Sequence, residues 1–456
     1  MINDNSQSRD SFTSKFGVIA AAAGSAIGLG NIWRFPYVLG ENGGGAFLLV
    51  YLVFILAIGV PVMMSEFVIG RRAQLNPVGA FKKIRPGKPW YLVGLLGVVS
   101  AFVILAFYTV VAGWTLEYLV QSVIWLVSPS KYGFADMDTT QLRGFFTDQF
   151  HNFQHGSWRP IIWFSVIMLL TGLIVISGIR DGIEKYAKIL MPLLLVLLIV
   201  LVIRALTLDG AREGVVFLFK PDFSLIKTKT ILEALGQAFF SLSIGMGTLI
   251  TYGSYIPRKE NLGSTAVNVA LADTFVAVIA GLAIFPAVFA FNIAPDAGPD
   301  LVYITLPVIF TKMAGGMVWA FMFFLLLCFA AITSTISVLE VIVAYFTEEL
   351  GMKRKGATIL AMVSVGFLGL LCTFSWNVLS DFRIMDKTVF GLFNASPDIM
   401  LPLGGFFIVI FIGWILKKDV VKDELSSGGR YKVKYLKVFL FIVKFVAPLA
   451  IALVFL

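Results

Sequence analysis

The sequence predicts an all-α integral membrane protein of eleven transmembrane helices, two of them discontinuous. Three observations carry this. Of 456 residues, 58% are hydrophobic and only 14% are charged, whereas soluble domains hold roughly 45–50% and about 25%. Apolar runs of membrane-crossing length fall near 13–40, 44–70, 90–126, 159–177, 187–206, 231–256, 262–291, 315–346, 356–376, 388–416 and 433–455. The first and sixth of these runs are interrupted by glycine near their middles.

In the first run, Gly24-Ser25-Ala26-Ile27-Gly28-Leu29-Gly30 places three glycines within seven residues, and Asn31 and Arg34 follow. Each glycine costs a helix about 1 kcal/mol relative to alanine, so this helix is expected to open. Unwound backbone survives at membrane depth only where it is buried in protein or lines a cavity. Freed carbonyls there suit a hard cation, and freed amides suit a carboxylate. Gly24 and Gly28 alone would fit ordinary close packing of helices, and Gly28-Leu29-Gly30 is no dinucleotide loop because no strand precedes it. The balance shifts with a second interruption five helices later, Phe240-Ser241-Leu242-Ser243-Ile244-Gly245-Met246-Gly247. Broken helices in corresponding halves are the mark of inverted repeats with a binding site at the membrane midplane.

Along the rest of the chain, Glu66 is a lone acid among Val62, Met63, Met64, Phe67 and Val68 and needs hydrogen-bond donors. Ile104 and Tyr108 share a helix face in the third run. Gly182 and Pro192 bracket a weak helix end at the start of the fifth. Asp273 is the only acid between Glu260 and Asp296 and shares a face with Ala277. Thr333 and Ser334 either bond back to carbonyls one turn earlier or offer their oxygens elsewhere. Cys328 and Cys372 sit in apolar helices as small hydrophobic residues, and His151 and His155 read as solvated loop residues. No nucleophile-base pair, phosphate loop or metal motif is present, so nothing argues for an enzyme or a cofactor.

Lysine and arginine concentrate in alternate connections, at Arg71, Arg72, Lys82, Lys83, Arg85, Lys88, Arg258, Lys259, Lys353, Arg354, Lys355, Lys417 and Lys418 among others. By the positive-inside rule this puts the N-terminus in the cytoplasm and, with an odd number of helices, the C-terminus outside. The net charge of +9 follows from that asymmetry and gives no reason to expect nucleic acid as a partner. Residues 1–12 read as a polar cytoplasmic segment without a cleavable signal, and 13–456 as one membrane domain.

The run from Gly24 to Pro36, followed by Glu41-Asn42-Gly43-Gly44-Gly45-Ala46-Phe47, closely resembles the bacterial amino-acid branch of the neurotransmitter:sodium symporter family. The resemblance covers nearly the whole chain. It implies two inverted five-helix repeats, helices 1–5 and 6–10, with helix 11 peripheral and no twelfth. It also implies sodium-coupled import of amino acids through a bacterial cytoplasmic (inner) membrane by alternating access, with sodium ions, an amino acid and the lipid bilayer as the only partners. Matched residue by residue, the substrate site takes Ala26, Gly28, Leu29, Gly30, Ile104, Tyr108, Phe240, Ser241, Ser243, Met246, Ser334 and Val338. Sodium site one takes Ala26, Asn31, Ser241 and Asp273, with Asn268 a rival ligand; sodium site two takes Gly24, Ile27, Ala330, Thr333 and Ser334. The outer gate would pair Arg34 with Asp386, or alternatively Asp381. The inner latch would pair Arg9 with Glu348 near Tyr255, helped by Phe12. Glu66 would hold the unwound part of the sixth segment, and unwinding between Gly182 and Pro192 would open a water path.

Two departures from relatives bear on substrate. Gly28 stands where monoamine carriers place an aspartate, and Asp273 with Ala277 stand where chloride-dependent members place asparagine and serine. The first implies an amino-acid substrate, with the apolar lining of Ile104, Met246 and Val338 favouring apolar or aromatic side chains, and the second implies transport without chloride. A channel would need a continuous ring-lined pore. A sensor that keeps the fold without transport would share the same sequence pattern.

Overall fold

The computed structural model of the chain describes residues 11–128, 131–293 and 298–455. Among these there is no β-strand, only an isolated bridge between Ile384 and Lys387. Eight helices are long and apolar enough to cross a bilayer: Gly45–Ala73, Tyr91–Val127, Arg159–Ile176, Ile179–Leu206, Leu262–Ala290, Gly316–Glu349, Arg354–Trp376 and Val389–Ile415. A ninth is the bent pair Lys15–Ala26 and Gly30–Glu41, whose halves meet at 49°. The two remaining runs are helical in shorter pieces, the sixth as Thr228–Ser241 and Thr248–Tyr255 and the eleventh from Leu436 through a π turn to Ala452. The element order therefore follows the eleven apolar runs, and we number the spans accordingly.

Both breaks have local causes. In the first span Ile27 turns to extended backbone (ψ 98°), and the helix restarts as a π turn, Gly30–Arg34, that runs into Phe35–Glu41 with Pro36 in its first turn. In the sixth, Ser243, Gly245 and Gly247 all take left-handed backbone, at φ 54°, 88° and 79°. Glycine does this without steric cost. At 245 it is needed twice over, because a Cβ would also run into the backbone of Leu401 on the tenth span.

The third and eighth spans pack along each other over much of their length, and the Lys15–Ala26 half of the first span lies against the fifth, seventh and eighth. Outward-facing Leu169, Leu173, Val196, Ile203, Phe275, Val363 and Phe367 form an exposed apolar belt. Such a surface is at home in hydrocarbon.

One expectation is corrected outside the site. His151 lies in a helix, Thr139–Gln154, and His155 caps it, because Asp138 and Gln141 form a capping box at its start. Both rings are exposed, His155 Nδ1 lies 2.8 Å from the His151 carbonyl, and no group of three metal-binding side chains occurs among the described residues. The stretch between Gly182 and Pro192, where unwinding was expected to open a water path, is wound in this structure, as a π turn Ile179–Glu184 leading into Lys185–Leu206 with Pro192 inside it. Burial of this end against the N-terminal segment, described below, holds the turn closed.

Candidate functional site

The opened backbone of the two broken spans meets a buried carboxylate. Asp273 of the seventh span is fully buried, and its Oδ1 accepts from Asn31 Nδ2 at 2.7 Å. Ser241 Oγ donates to the same group, 2.9 and 2.8 Å from its two oxygens. Asn31 also reaches the Ser241 hydroxyl (3.2 Å) and the Asp273 carbonyl (3.1 Å), and its Oδ1 accepts from the Gly28 N–H at 3.2 Å. Three of the four residues proposed for sodium site one thus touch one another. The fourth, Ala26, is buried at the end of the helix that leads to them. Asn268, the rival ligand, instead lies 3.5 Å from the Ser264 hydroxyl one turn away.

Sequence reasoning missed Tyr51. Its hydroxyl lies 3.2 Å from Ser241 Oγ and 3.4 Å from Asp273 Oδ2, completing a shell of neutral donors around the acid. The signal was a phenol in an otherwise apolar stretch, since a buried phenol seeks a partner. Gln237 was missed as well; its Nε2 donates to the Gly30 carbonyl at 2.9 Å, which also accepts from the Phe35 N–H, and so supports the π turn.

Beside this cluster lies a small polar niche. The Leu29 N–H donates to Tyr108 Oη at 2.8 Å, and a Cβ added to Gly28 would run into both Tyr108 Oη and Ser334 Oγ. Phenol, hydroxyl and bare backbone therefore face one point. Ile104 and Val338 lie one turn from Tyr108 and Ser334 on the third and eighth spans, and Met246 lies on the sixth; all are buried. Phe240 covers Gly30 closely enough that a Cβ there would come within 3.1 Å of its ring. Ser243 Oγ donates to the Ser25 carbonyl at 3.0 Å, tying the two breaks together. Glu66 accepts from the Gly245 N–H at 2.6 Å, which is the support of the unwound sixth span read from the sequence.

Around the second proposed ion site, Thr333 Oγ1 donates back to the Ala330 and Phe329 carbonyls at 3.0 and 3.1 Å. Gly24 faces this residue, since a Cβ on it would stand 3.6 Å from Thr333 Cβ. Ser334 Oγ lies 3.4 Å from the Ser25 carbonyl. Gly24, Ile27, Ala330, Thr333 and Ser334 are thus gathered where the eighth span crosses the end of the first helix, all buried.

The outer gate is corrected. Arg34 pairs with Asp398, Nη2 to Oδ1 at 2.5 Å, and stacks its guanidinium 4.5 Å from the centre of the Phe240 ring. Asp386 and Asp381 are both exposed, Asp386 in a tight turn at φ 60° that ends before the helix begins. The tenth span starts at Val389, and only an acid two turns into it reaches the depth of Arg34.

On the inner side Arg9 lies outside the described residues. Glu348 accepts from Asn76 N at 2.5 Å and Nδ2 at 3.0 Å, and Tyr255 donates to Glu340 at 2.8 Å. Phe12 is buried edge-on against Tyr252 and Tyr255, with ring centres 5.8 and 6.2 Å away. Next to it Glu184 receives Thr13 N (2.9 Å), Thr13 Oγ1 (2.5 Å) and Lys188 Nζ (2.6 Å). This clasp ties the start of the first span to the fifth, and no reading of the sequence had found it.

Unwound helices that meet at a buried polar cluster beneath a closed ion pair are the architecture of a membrane transporter. Comparison with known proteins narrows the class. The chain belongs to the sodium:neurotransmitter symporter family, whose sequence profile matches residues 9–456. It is 38% identical to the uncharacterized sodium-dependent transporter YhdH of Bacillus subtilis, over 98% of this chain and 96% of the relative. A similar protein of Haemophilus influenzae is also 38% identical, over 99% and 98%. Among solved structures, that of MhsT in complex with L-phenylalanine superposes with a TM-score of 0.88 at 45% identity, covering 98% and 99% of the two chains. The chain is accordingly a sodium-dependent transporter of this family and not an enzyme.

Proposed function

We propose that the protein imports apolar or aromatic amino acids with sodium, by alternating access and without chloride. The observation that carries this is the Asp273 carboxylate, surrounded by neutral donors with no basic side chain in ion-pair reach among the described residues. A buried charge so placed calls for a cation. Sodium held by Asp273, Asn31, Ser241 and the Ala26 carbonyl has a fixed negative ligand, so no anion is needed to balance it. A cation there would turn the Asn31 amide so that its oxygen faces the ion. Gly28 leaves no acid at the niche, and the substrate's own carboxylate would take the place of the Tyr108 bond to the Leu29 N–H, where it would complete the ion's shell. Each ligand then raises the other's affinity, which is the coupling.

A second sodium among Gly24, Ile27, Ala330, Thr333 and Ser334 would have five neutral oxygens, enough for sodium and too poor in charge for calcium. The apolar lining and the phenylalanine complex of MhsT support a large apolar side chain. The lysine and arginine bias supports a cytoplasmic N-terminus in a bacterial cytoplasmic membrane. The test is uptake of labelled phenylalanine, leucine or tryptophan into proteoliposomes under an inward sodium gradient. Uptake that persists when gluconate replaces chloride is expected. Binding without uptake would make the protein a sensor, and full chloride dependence would remove Asp273 from the ion site.

A further inference from the structure

At one end of the third and tenth spans, away from the transport pathway, a pocket of about 360 Å³ is lined by the cations Arg72, Lys83, Arg85 and Lys417 and by no acid. Their charges are largely unanswered. Lys83 Nζ donates to the Ala73 carbonyl at 3.0 Å and Arg85 to the Ile415 carbonyl, both neutral, and Lys417 has no ion pair among the described residues. Only Arg72 has acids near, Asp423 at 3.6 Å and Glu424 at 3.5 Å, and Glu424 is shared with Arg71 at 3.0 Å. Such a cluster is a phosphate site by charge, but charge does not distinguish a free anion from a headgroup.

The neighbouring surface does. Beside the pocket an almost wholly apolar groove of about 370 Å³ runs along the outside of the third and tenth spans, lined by Pro89, Trp90, Leu92, Val93, Leu96 and Phe407. Phe411 joins the two, packing edge-on against Phe81 beneath the basic residues (4.8 Å) and against Trp90 in the groove (5.1 Å). Phe407 in the groove and Leu416 in the pocket are nine positions apart along the tenth span, about 13 Å along a helix axis. That matches the reach from a phosphodiester through glycerol into an acyl chain. Tryptophan at the mouth marks the depth of the headgroup region.

We propose that this composite site binds one anionic phospholipid of the adjoining leaflet, its phosphodiester among Lys83, Arg85 and Lys417 and an acyl chain in the groove. Each cation near an anionic lipid is worth about fivefold in binding, so removing two exposed lysines in K83Q/K417Q should weaken the lipid roughly thirtyfold while leaving the Arg85 bond to Ile415 intact. The test is lipid titration of the detergent-purified chain by native mass spectrometry, with thermal unfolding in parallel, using phosphatidylglycerol, phosphatidylcholine and inorganic phosphate. Saturable binding and stabilisation by phosphatidylglycerol alone, lost in K83Q/K417Q and kept in K83R/K417R, is expected. A Leu92→Gln change in the groove should also weaken it. Equal binding of phosphatidylcholine, unchanged binding in K83Q/K417Q, or full stabilisation by inorganic phosphate alone would each overturn the proposal, the last by making the pocket a free-anion site. Sodium-dependent uptake is not the readout, so failure here leaves the transport reading untouched.

Discussion

Replacing Asp273 with asparagine keeps the size of the side chain and removes its charge. In the structure that charge organises three donors: Asn31 at 2.7 Å, Ser241 at 2.8 and 2.9 Å, and Tyr51 at 3.4 Å. A hydrogen bond to a charged group contributes about 1.5–3 kcal/mol. Taking the loss of the anionic ligand as one such interaction, sodium affinity should fall roughly 10- to 150-fold. The assay is binding of labelled phenylalanine to purified protein across a sodium titration, with thermal unfolding measured alongside to exclude a folding defect. Substrate binding at low sodium should collapse and return only at high sodium. Ala277 is fully buried one turn along the same face, so adding serine there, in D273N/A277S, should restore activity in a chloride-dependent form. A D273N protein that folds and keeps the wild-type sodium curve would refute the assignment of the ion site and the account of charge balance built on it.

Other perturbations separate the parts. Asn31→Ala and Thr333→Ala should each lower sodium affinity by about 1–3 kcal/mol, but only Asn31→Ala should weaken substrate binding at saturating sodium, because only the first site touches the carboxylate; a sodium titration of binding distinguishes them. Gly28→Ala and Gly28→Asp should abolish amino-acid binding, since the new Cβ collides with Tyr108 and Ser334, and retained uptake would remove the niche from the substrate path. Asp398→Asn should speed substrate escape while Asp386→Asn should not, read as dissociation of labelled substrate after dilution. Glu184→Gln, which frees Thr13 and Lys188 from their shared carboxylate, should favour opening on that side and raise labelling of a cysteine introduced at Ala23.

Much of this was legible in the residues. Glycine spacing foretold both breaks, because backbone cost is local and needs no knowledge of the partner. Asn31, Ser241 and Asp273 were named together by the family resemblance, and the structure brings their side chains into contact. What the sequence could not give was depth. Asp386 and Asp398 are both acids near the start of the tenth span, and only the turn at Met385 and Asp386, which delays the helix to Val389, decides which of them meets Arg34. Gly182 and Pro192 likewise looked weak in isolation, and the segment stays wound because Glu184 is clasped by residues far away in the chain. Tyr51 illustrates the opposite case, a residue ordinary in its own helix that acquires its role from two others.

The stacking of Arg34 on Phe240 has a consequence for pharmacology. The Phe240 ring, the proposed substrate cover, and the outer ion pair are in contact through Arg34, so an occupant that wedges the ring aside also disturbs the guanidinium bound to Asp398. Directly above lies a vestibule of about 300 Å³ lined by Arg34, Tyr37, Glu41, Glu233 and Asp398. A blocking compound therefore gains most by being longer than a nutrient, with one end below the ring and a cationic tail reaching the acids above. On the function proposed above, molecules the size of a single amino acid would let the ring close and be carried through.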